Sequence, residues 1–367
     1  MQKTRFAAAL GLVIGVALLT GCASPARVAP APEAPSAADL VPLGELTVLA
    51  DPRGYVGAST AVLAAASADP VALDAAPALP TTVTSHDLDG DIRVDVATAD
   101  RILGLDIAGS IGSTLFGLGA GDRVVGRDTS TTLAAAVELP LVTTGGHSIN
   151  SEAVIALRPD LVITDGTVGP IDVVLQLRDA GITVVFVDTE PSLDGIGELT
   201  RQVAAAIGAP EAGETLATRL AEDIAATVAE IDAIAPAATG DRLRMLFLYL
   251  RGTSGIYYLF GEESGADVLI ESLGGIDVAG EIGWSGMKPM TDEALVAANP
   301  DLILVMTDGL ASAGGVDGLL ESKPAIALTR AGQNKRFVDM ADGDILSFGP
   351  RTADVLDALA RAIYAPQ

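Results

Sequence analysis

Apolar and polar positions change rhythm along the chain. Residues 6–19 are almost uniformly apolar, and residues 23–35 are rich in Ala and Pro with no period. From residue 81 onward, apolar runs of strand length alternate with stretches whose apolar positions recur every three or four residues. This is the pattern of strands alternating with amphipathic helices. TVTS and IRVDV, separated by Asp89-Gly90-Asp91, predict a β-hairpin. Strands are then expected at 101–105, 122–126, 139–142, 161–164 and 183–187. Helices are expected within 109–119 and over 152–157 and 171–180. Such alternation implies a parallel sheet covered by helices. Two longer helices follow, at 193–207 and 210–235. In the second, Leu216, Leu220, Ile224, Val228 and Ile231 keep three- and four-residue spacing. Its length of roughly 37 Å exceeds what a crossover inside one small sheet needs. Strand and helix segments then alternate again over 243–250, 267–273, 292–298, 302–306, 323–328, 336–338 and 351–364. In 243–250, Leu243, Met245, Phe247 and Tyr249 alternate with Leu246, Leu248 and Leu250, so this strand should be buried on both faces.

The two halves repeat each other. SEAVIALRPDLVIT at 151–164 matches DEALVAANPDLILV at 292–305, and the glutamate precedes the proline by seven residues in both. The unit is a helix with an acid in its first turn, a proline stop and a buried strand. The expected architecture is α/β: two Rossmann-like lobes joined by one long α-helix. Residues 40–78 combine an apolar run at 46–49, a Pro52-Arg53-Gly54 turn and Ala-rich stretches. They carry no period, and a partly ordered extension is expected there.

Composition narrows the class. At 367 residues, 49% hydrophobic and 19% charged, the chain is long enough for one large or two medium globular domains. Its formal net charge of −26 disfavours nucleic acid and anionic membrane surfaces as partners. A single cysteine, Cys22, excludes an intramolecular disulfide. Lys3 and Arg5, the apolar run and Leu19-Thr20-Gly21-Cys22 resemble a bacterial lipoprotein signal, with Cys22 as the lipid-bearing first residue. The apolar run is short for a spanning helix. The Ala/Pro stretch after Cys22 then reads as an extended tether.

Candidate chemistry is sparse. Tyr249 and Arg251 lie two apart at the end of a buried strand, so their side chains share one side, just before a Gly-Thr-Ser-Gly turn. The ends of strands are where α/β folds place ligands. In the first half His147 follows Gly145-Gly146, which let the backbone approach a bound group closely. The other histidine, His86, falls in the hairpin and reads as a surface residue. No nucleophile elbow or dinucleotide fingerprint is present, and Gly109-Ser110-Ile111-Gly112 lacks the lysine of a P-loop. No catalytic residue is assigned. One imidazole and one arginine-paired phenol remain, one per half, and both residue types hold haem iron in proteins.

The lipobox, two α/β lobes and long connecting helix resemble the class III substrate-binding proteins of ABC importers. Gly146-His147 before a Ser-Glu helix and Tyr249-Leu250-Arg251-Gly252 resemble the haem-binding members from actinobacteria. Val124 to Asp128, Lys288-Pro289-Met290 and Leu304 to Leu310 are also similar to that family. The resemblance runs from about residue 79 to the end. It implies a ligand in the inter-lobe cleft, haem b as the transported ligand, His147 and Tyr249 as axial iron ligands, and Arg251 as the partner of Tyr249. It also implies Met306 as a cleft contact and Glu152 and Glu293 as docking residues for permease arginines. Tyr257, Tyr258 and Trp284 either line the cleft or fill the core. The implied organisation is a signal peptide at 1–21, a tether and unassigned extension at 22–78, an N-terminal lobe at 79–209, a connecting helix at 210–235 and a C-terminal lobe at 236–367. Implied partners are an ABC permease, its ATPase, the membrane through Cys22 and upstream haem donors. The implied location is extracytoplasmic. Alternatives are a siderophore or cobalamin binder of an ABC importer, an α/β redox enzyme, and a cell-wall haem sink without a permease.

Overall fold

A computed structural model describes residues 40–64, 70–71, 77–250 and 257–366. The lipoprotein-like signal, Cys22 and Arg251 lie outside the described residues. The extension contributes a short strand, β1 (Ser59–Thr60), discussed below. The hairpin forms as expected, with β2 (Thr81–Asp87) antiparallel to β3 (Gly90–Val96). His86 is half-buried there, its Nδ1 3.0 Å from Asp91 and 3.3 Å from Asp188.

The first lobe is built on β4 (Ile102–Leu105), followed by α1 (Ser110–Gly117), a small hairpin of β5 (Thr143–Thr144) and β6 (Ser148–Ile149), and α2 (Ser151–Leu157). Then come β7 (Leu161–Thr164), α3 (Ile171–Asp179), β8 (Thr183–Phe186) and α4 (Leu193–Ala206). β4, β7 and β8 form a parallel sheet in that order. The strands expected at 122–126 and 139–142 do not form. Val124 and Leu141 make only isolated bridges, to Ile102 and Arg127. Pro140 has no N–H to donate to a ladder, and the backbone turns through 121–123 before Val124.

The connecting helix α5 (Pro210–Ile234) spans 25 residues and starts on a proline, which is preorganised for the first helical turn. Leu216, Leu220, Ile224 and Ile231 face the core, while the opposite side is exposed.

The second lobe runs through β9 (Arg244–Leu250), β10 (Tyr257–Phe260), α6 (Ala266–Ser272), β11 (Ile276–Asp277), α7 (Val278–Glu281) and β12 (Met287–Pro289). It continues with α8 (Asp292–Ala298), β13 (Leu302–Met306), α9 (Thr307–Ser312), α10 (Gly315–Ser322), α11 (Pro324–Leu328) and α12 (Arg330–Gln333). β14 (Phe337–Met340) and α13 (Thr352–Tyr364) close the chain. The sheet order is β1-β14-β13-β9-β10-β12, with β11 also on β9. β9, β13, β14 and β1 are parallel; β10 and β12 are antiparallel additions. β9 is buried on both faces, as its unbroken apolar run requires: Met245 and Phe247 enter one core cluster, and Leu246, Leu248 and Leu250 another.

The internal repeat is structural. Asn150 and Thr291 cap α2 and α8 through their side chains, and both helices end on a left-handed residue, Arg158 or Asn299. Asp160 and Asp301 follow the two prolines. Asp160 exchanges backbone and carboxylate bonds with Arg101, and Asp301 does the same with Arg244. Each aspartate thus staples the turn before one strand (β7 or β13) to the start of its parallel neighbour (β4 or β9).

The extension is not peripheral. Residues 40–64 pack as a strap on the second lobe, with Leu43 buried and β1 as the parallel edge strand beside β14. Arg336, 1% exposed, donates to Ser59 Oγ at 2.9 Å, Ile363 O at 2.7 Å and Ala362 O at 3.1 Å. Its guanidinium also stacks on Tyr55 at 4.6 Å. Arg53 donates to the carbonyls of Gly240 and Arg242. Further along, Val71 N–H bonds Gly117 O and Ala78 N–H bonds Gly208 O, so the same segment reaches the first lobe.

Candidate functional site

Tyr249 is the next-to-last residue of β9 and half-buried. Alternation along β9 puts it on the face of Met245 and Phe247. Its ring packs edge-on against Phe260 at 5.8 Å and Tyr258 at 6.4 Å. Both partners come from β10, whose register pairs Tyr258 with Tyr249 and Phe260 with Phe247. β13 pairs Val305 with Leu248, so one residue further in register Met306 comes beside Tyr249, and β14 pairs Met340 with Met306. The C-terminal edge of the sheet therefore gathers a phenol, two further aromatic rings and the partly buried Met306 thioether on one face, with Met340 buried beneath. Polarizable sulfur and aromatic faces suit a flat, largely apolar ligand. Phe260 was missed in the sequence, although two-residue alternation from Tyr258 reaches it.

Tyr257 takes the core alternative. It points to the opposite face, buried among Leu246, Leu248 and Leu250. Its hydroxyl donates to Asp292 Oδ1 at 2.6 Å, and Lys323 Nζ lies 5.2 Å from its ring centre. Burial, that hydrogen bond and the charges of Asp292 and Glu293 push the phenol above its ordinary value. Trp284 packs partly buried against this same second cluster, away from Tyr249. Tyr258 is the one of the three that shares Tyr249's face.

His147 stands at the tip of the β5–β6 hairpin. Gly145 and Gly146 have φ of +57° and +97°, conformations that disfavour any side chain. An added Cβ would meet nothing within 4 Å at either glycine, so backbone conformation alone calls for them. The loop is tied down by Thr129 Oγ1, which donates to Gly146 O at 2.9 Å, and by Gly169 N–H, which donates to His147 O at 3.1 Å. Gly169 lies in the loop after β7, so His147 sits near the C-terminal ends of the first lobe's strands. Its Nδ1 is buried without a hydrogen-bond partner among the described residues, which leaves Nε2 as the nitrogen toward solvent.

Between the lobes, Thr132 Oγ1 donates to Asp344 Oδ1 at 3.0 Å, and Arg351 Nη2 donates to both at 2.5–3.0 Å. Nearby, the start of α1 is occupied by the chain's own Asp106. Its carboxylate accepts from Ser110 N–H at 2.8 Å and Ile111 N–H at 3.0 Å. That segment therefore offers no open cradle for a phosphate. Asp128 accepts from Asp106 N–H and from Thr131. Burial raises both carboxyls, and the neighbouring charges of Asp128 and Asp165 raise Asp106 further.

Glu152 and Glu293 are exposed in the first turns of α2 and α8. Among the described residues there is no group of three or more His, Cys, Asp or Glu side chains able to hold a bare metal ion.

A family model of periplasmic binding proteins matches residues 108–342. The chain belongs to this family. It is a substrate-binding protein of the ABC-importer type and not an enzyme. The crystal structure of the haem-binding protein HmuT is similar at 41% identity, covers 86% of this chain and 99% of its own, and has a TM-score of 0.79. Structures of HmuT with an arginine, a tyrosine or a histidine replaced by alanine give TM-scores of 0.79, 0.81 and 0.79. The ABC transporter substrate-binding lipoprotein YvrC of Bacillus subtilis, itself uncharacterised, is 28% identical across 68% of this chain and 76% of its own. A cobalamin-binding protein of Halobacterium salinarum is 26% identical across 70% of this chain and 67% of its own.

Proposed function

We propose that this protein is an extracytoplasmic, lipid-anchored haem-binding protein that hands haem to an ABC permease. Tyr249 and His147, one from each lobe, bind the iron on opposite faces of the macrocycle. Tyr249 binds as phenolate and His147 through Nε2. Arg251, two residues on, supports the phenolate. Tyr258, Phe260 and Met306 contact the ring. Glu152 and Glu293 meet basic residues of the permease, and Cys22 carries the lipid. The observation that carries this reading is the placement of Tyr249. It is a half-buried phenol at the C-terminal end of the central strand, flanked by aromatic rings, whereas its neighbour Tyr257 is committed to the core. The similarity to HmuT supports the ligand class, and the residue types replaced in the HmuT variants are those of this set. Addition of ferric haem to the purified protein tests it: one equivalent should bind with the absorption spectrum of mixed imidazole and phenolate ligation. His147→Ala and Tyr249→Ala should each change that spectrum. Unaltered spectra in both variants would refute the ligand set. The similarity to a cobalamin-binding protein supports a second reading, and tight binding of cobalamin in place of haem would establish it.

A further inference from the structure

Helices α2 and α8 expose more than a glutamate. Ile155 is 50% exposed and Val296 is 37% exposed, each three residues after Glu152 or Glu293. Residues three apart share a helix face. In both helices the intervening apolar residue, Val154 or Leu295, is fully buried, and the next alanine, Ala156 or Ala297, is exposed. One exposed aliphatic side chain on a surface needs no explanation. The same glutamate–aliphatic pair at matched places on both lobes does, because Val154 and Leu295 already supply each helix's core contact.

We propose that each lobe docks through a two-part contact. The glutamate pairs with a basic side chain of the permease, and the aliphatic side chain one turn on enters an apolar depression beside it. This rests on the docking reading given above for Glu152 and Glu293. The aliphatic group keeps water from the ion pair, which strengthens the pair in the lower local dielectric. The partner is cationic at these points rather than a second copy of this chain, since a chain of net charge −26 would set carboxylates against a strongly negative surface.

The test uses the haem-loaded protein and the cognate permease–ATPase complex in nanodiscs, with affinity measured at low and high salt. Ile155→Ser and Val296→Ser should each weaken binding about fivefold, and together about 25-fold. The haem spectrum and melting temperature should not change. The loss should persist at high salt, where screening weakens ion pairs and leaves apolar contacts. Glu152→Lys with Glu293→Lys serves as the reference. If that charge reversal abolishes binding while the double serine variant binds like the parent, the aliphatic contact is refuted and glutamate docking stands. If the charge-reversed protein binds like the parent, the docking reading itself fails, and this inference with it. A parent protein that self-associates, and that the double serine variant renders monomeric, would assign the surface to a second copy and overturn the proposal.

Discussion

The side chains of Tyr249 and Tyr257 face opposite sides of the sheet although the residues lie on neighbouring strands. Strand alternation decides it. Tyr257 faces the second core cluster and donates to Asp292, while Tyr249 faces the aromatic edge with Phe260 and Tyr258. Sequence alone could not separate them, because residues 251–256 between β9 and β10 leave the register open. A phenolate is costly at neutral pH, since free tyrosine titrates near pH 10. Under the proposed ligation iron provides most of the drive to deprotonate Tyr249, and Arg251 is proposed to add positive charge and a hydrogen bond. Arg251→Ala should weaken haem binding by roughly 10–100-fold. With the phenolate less stabilised, protons compete better with iron, so tyrosinate ligation should fail at a higher pH than in the parent. A titration followed by the haem bands checks this, and an equal or lower midpoint contradicts the role. The buried pair Asp106 and Asp128 gives a second pH dependence. Their carboxyls are raised above the ordinary range by burial, and Asp106 also by the charge of Asp128. The folded state therefore binds more protons than the unfolded chain as pH rises above the ordinary carboxylate range, and stability falls over that window. Asp128→Asn removes one buried charge, so urea unfolding across that window should show a shallower slope than in the parent.

Among the elements, those legible in the sequence are the ones whose own residues determine them. β9 is apolar on both faces, α5 keeps its apolar spacing for 25 residues, and α2 and α8 carry caps and a proline stop. The strap was not legible. β1 is two residues long and is held by groups far along the chain, chiefly Arg336 and the carbonyls at the end of α13. No local period encodes such contacts. A different, local cause removed the strands expected at 122–126 and 139–142: the backbone turns through 121–123, and Pro140 interrupts any ladder. Arg336 is where the strap should fail. Burial lowers its pKa to about 10, so it stays charged at neutral pH and depends on its four oxygen partners. Arg336→Ala leaves buried carbonyls without donors and should cost about 2–4 kcal/mol. It should also open residues 40–64 to limited proteolysis before the rest of the protein is cut. Arg93→Ala, on the exposed hairpin, should leave both urea midpoint and proteolysis unchanged.

At the scale of the molecule, the repeat made two lobes legible, but not what joins them. Periodicity identifies an apolar face without naming what it packs against. In the folded protein one core cluster runs through both lobes: Ile102, Leu161 and Val185 from the first, Phe247, Leu304 and Val338 from the second, and Leu216 and Ile224 from α5. Three further links span the same boundary. Thr132 is held by Asp344 and Arg351, the strap reaches both lobes, and Gly265 abuts Pro191 so tightly that an added Cβ would lie 2.9 Å from it. Hinged binding proteins close around ligands because few contacts cross between their lobes. Here a shared core would have to break for the lobes to swing, and close-packed interiors resist such continuous deformation. Haem should therefore enter a site that is largely formed, with side-chain and loop adjustments around His147 and Tyr249 rather than lobe closure. Small-angle scattering of the apo and haem-loaded protein checks this. The radius of gyration should be the same in both states, since backbone shifts in preorganised complexes stay within about 1 Å. Arg351→Ala, which leaves Thr132 and Asp344 held only by their bond to each other, should make the two values diverge if these contacts help hold the lobes. A reproducible contraction of the parent protein on haem binding would show that the lobes close on haem despite the shared core.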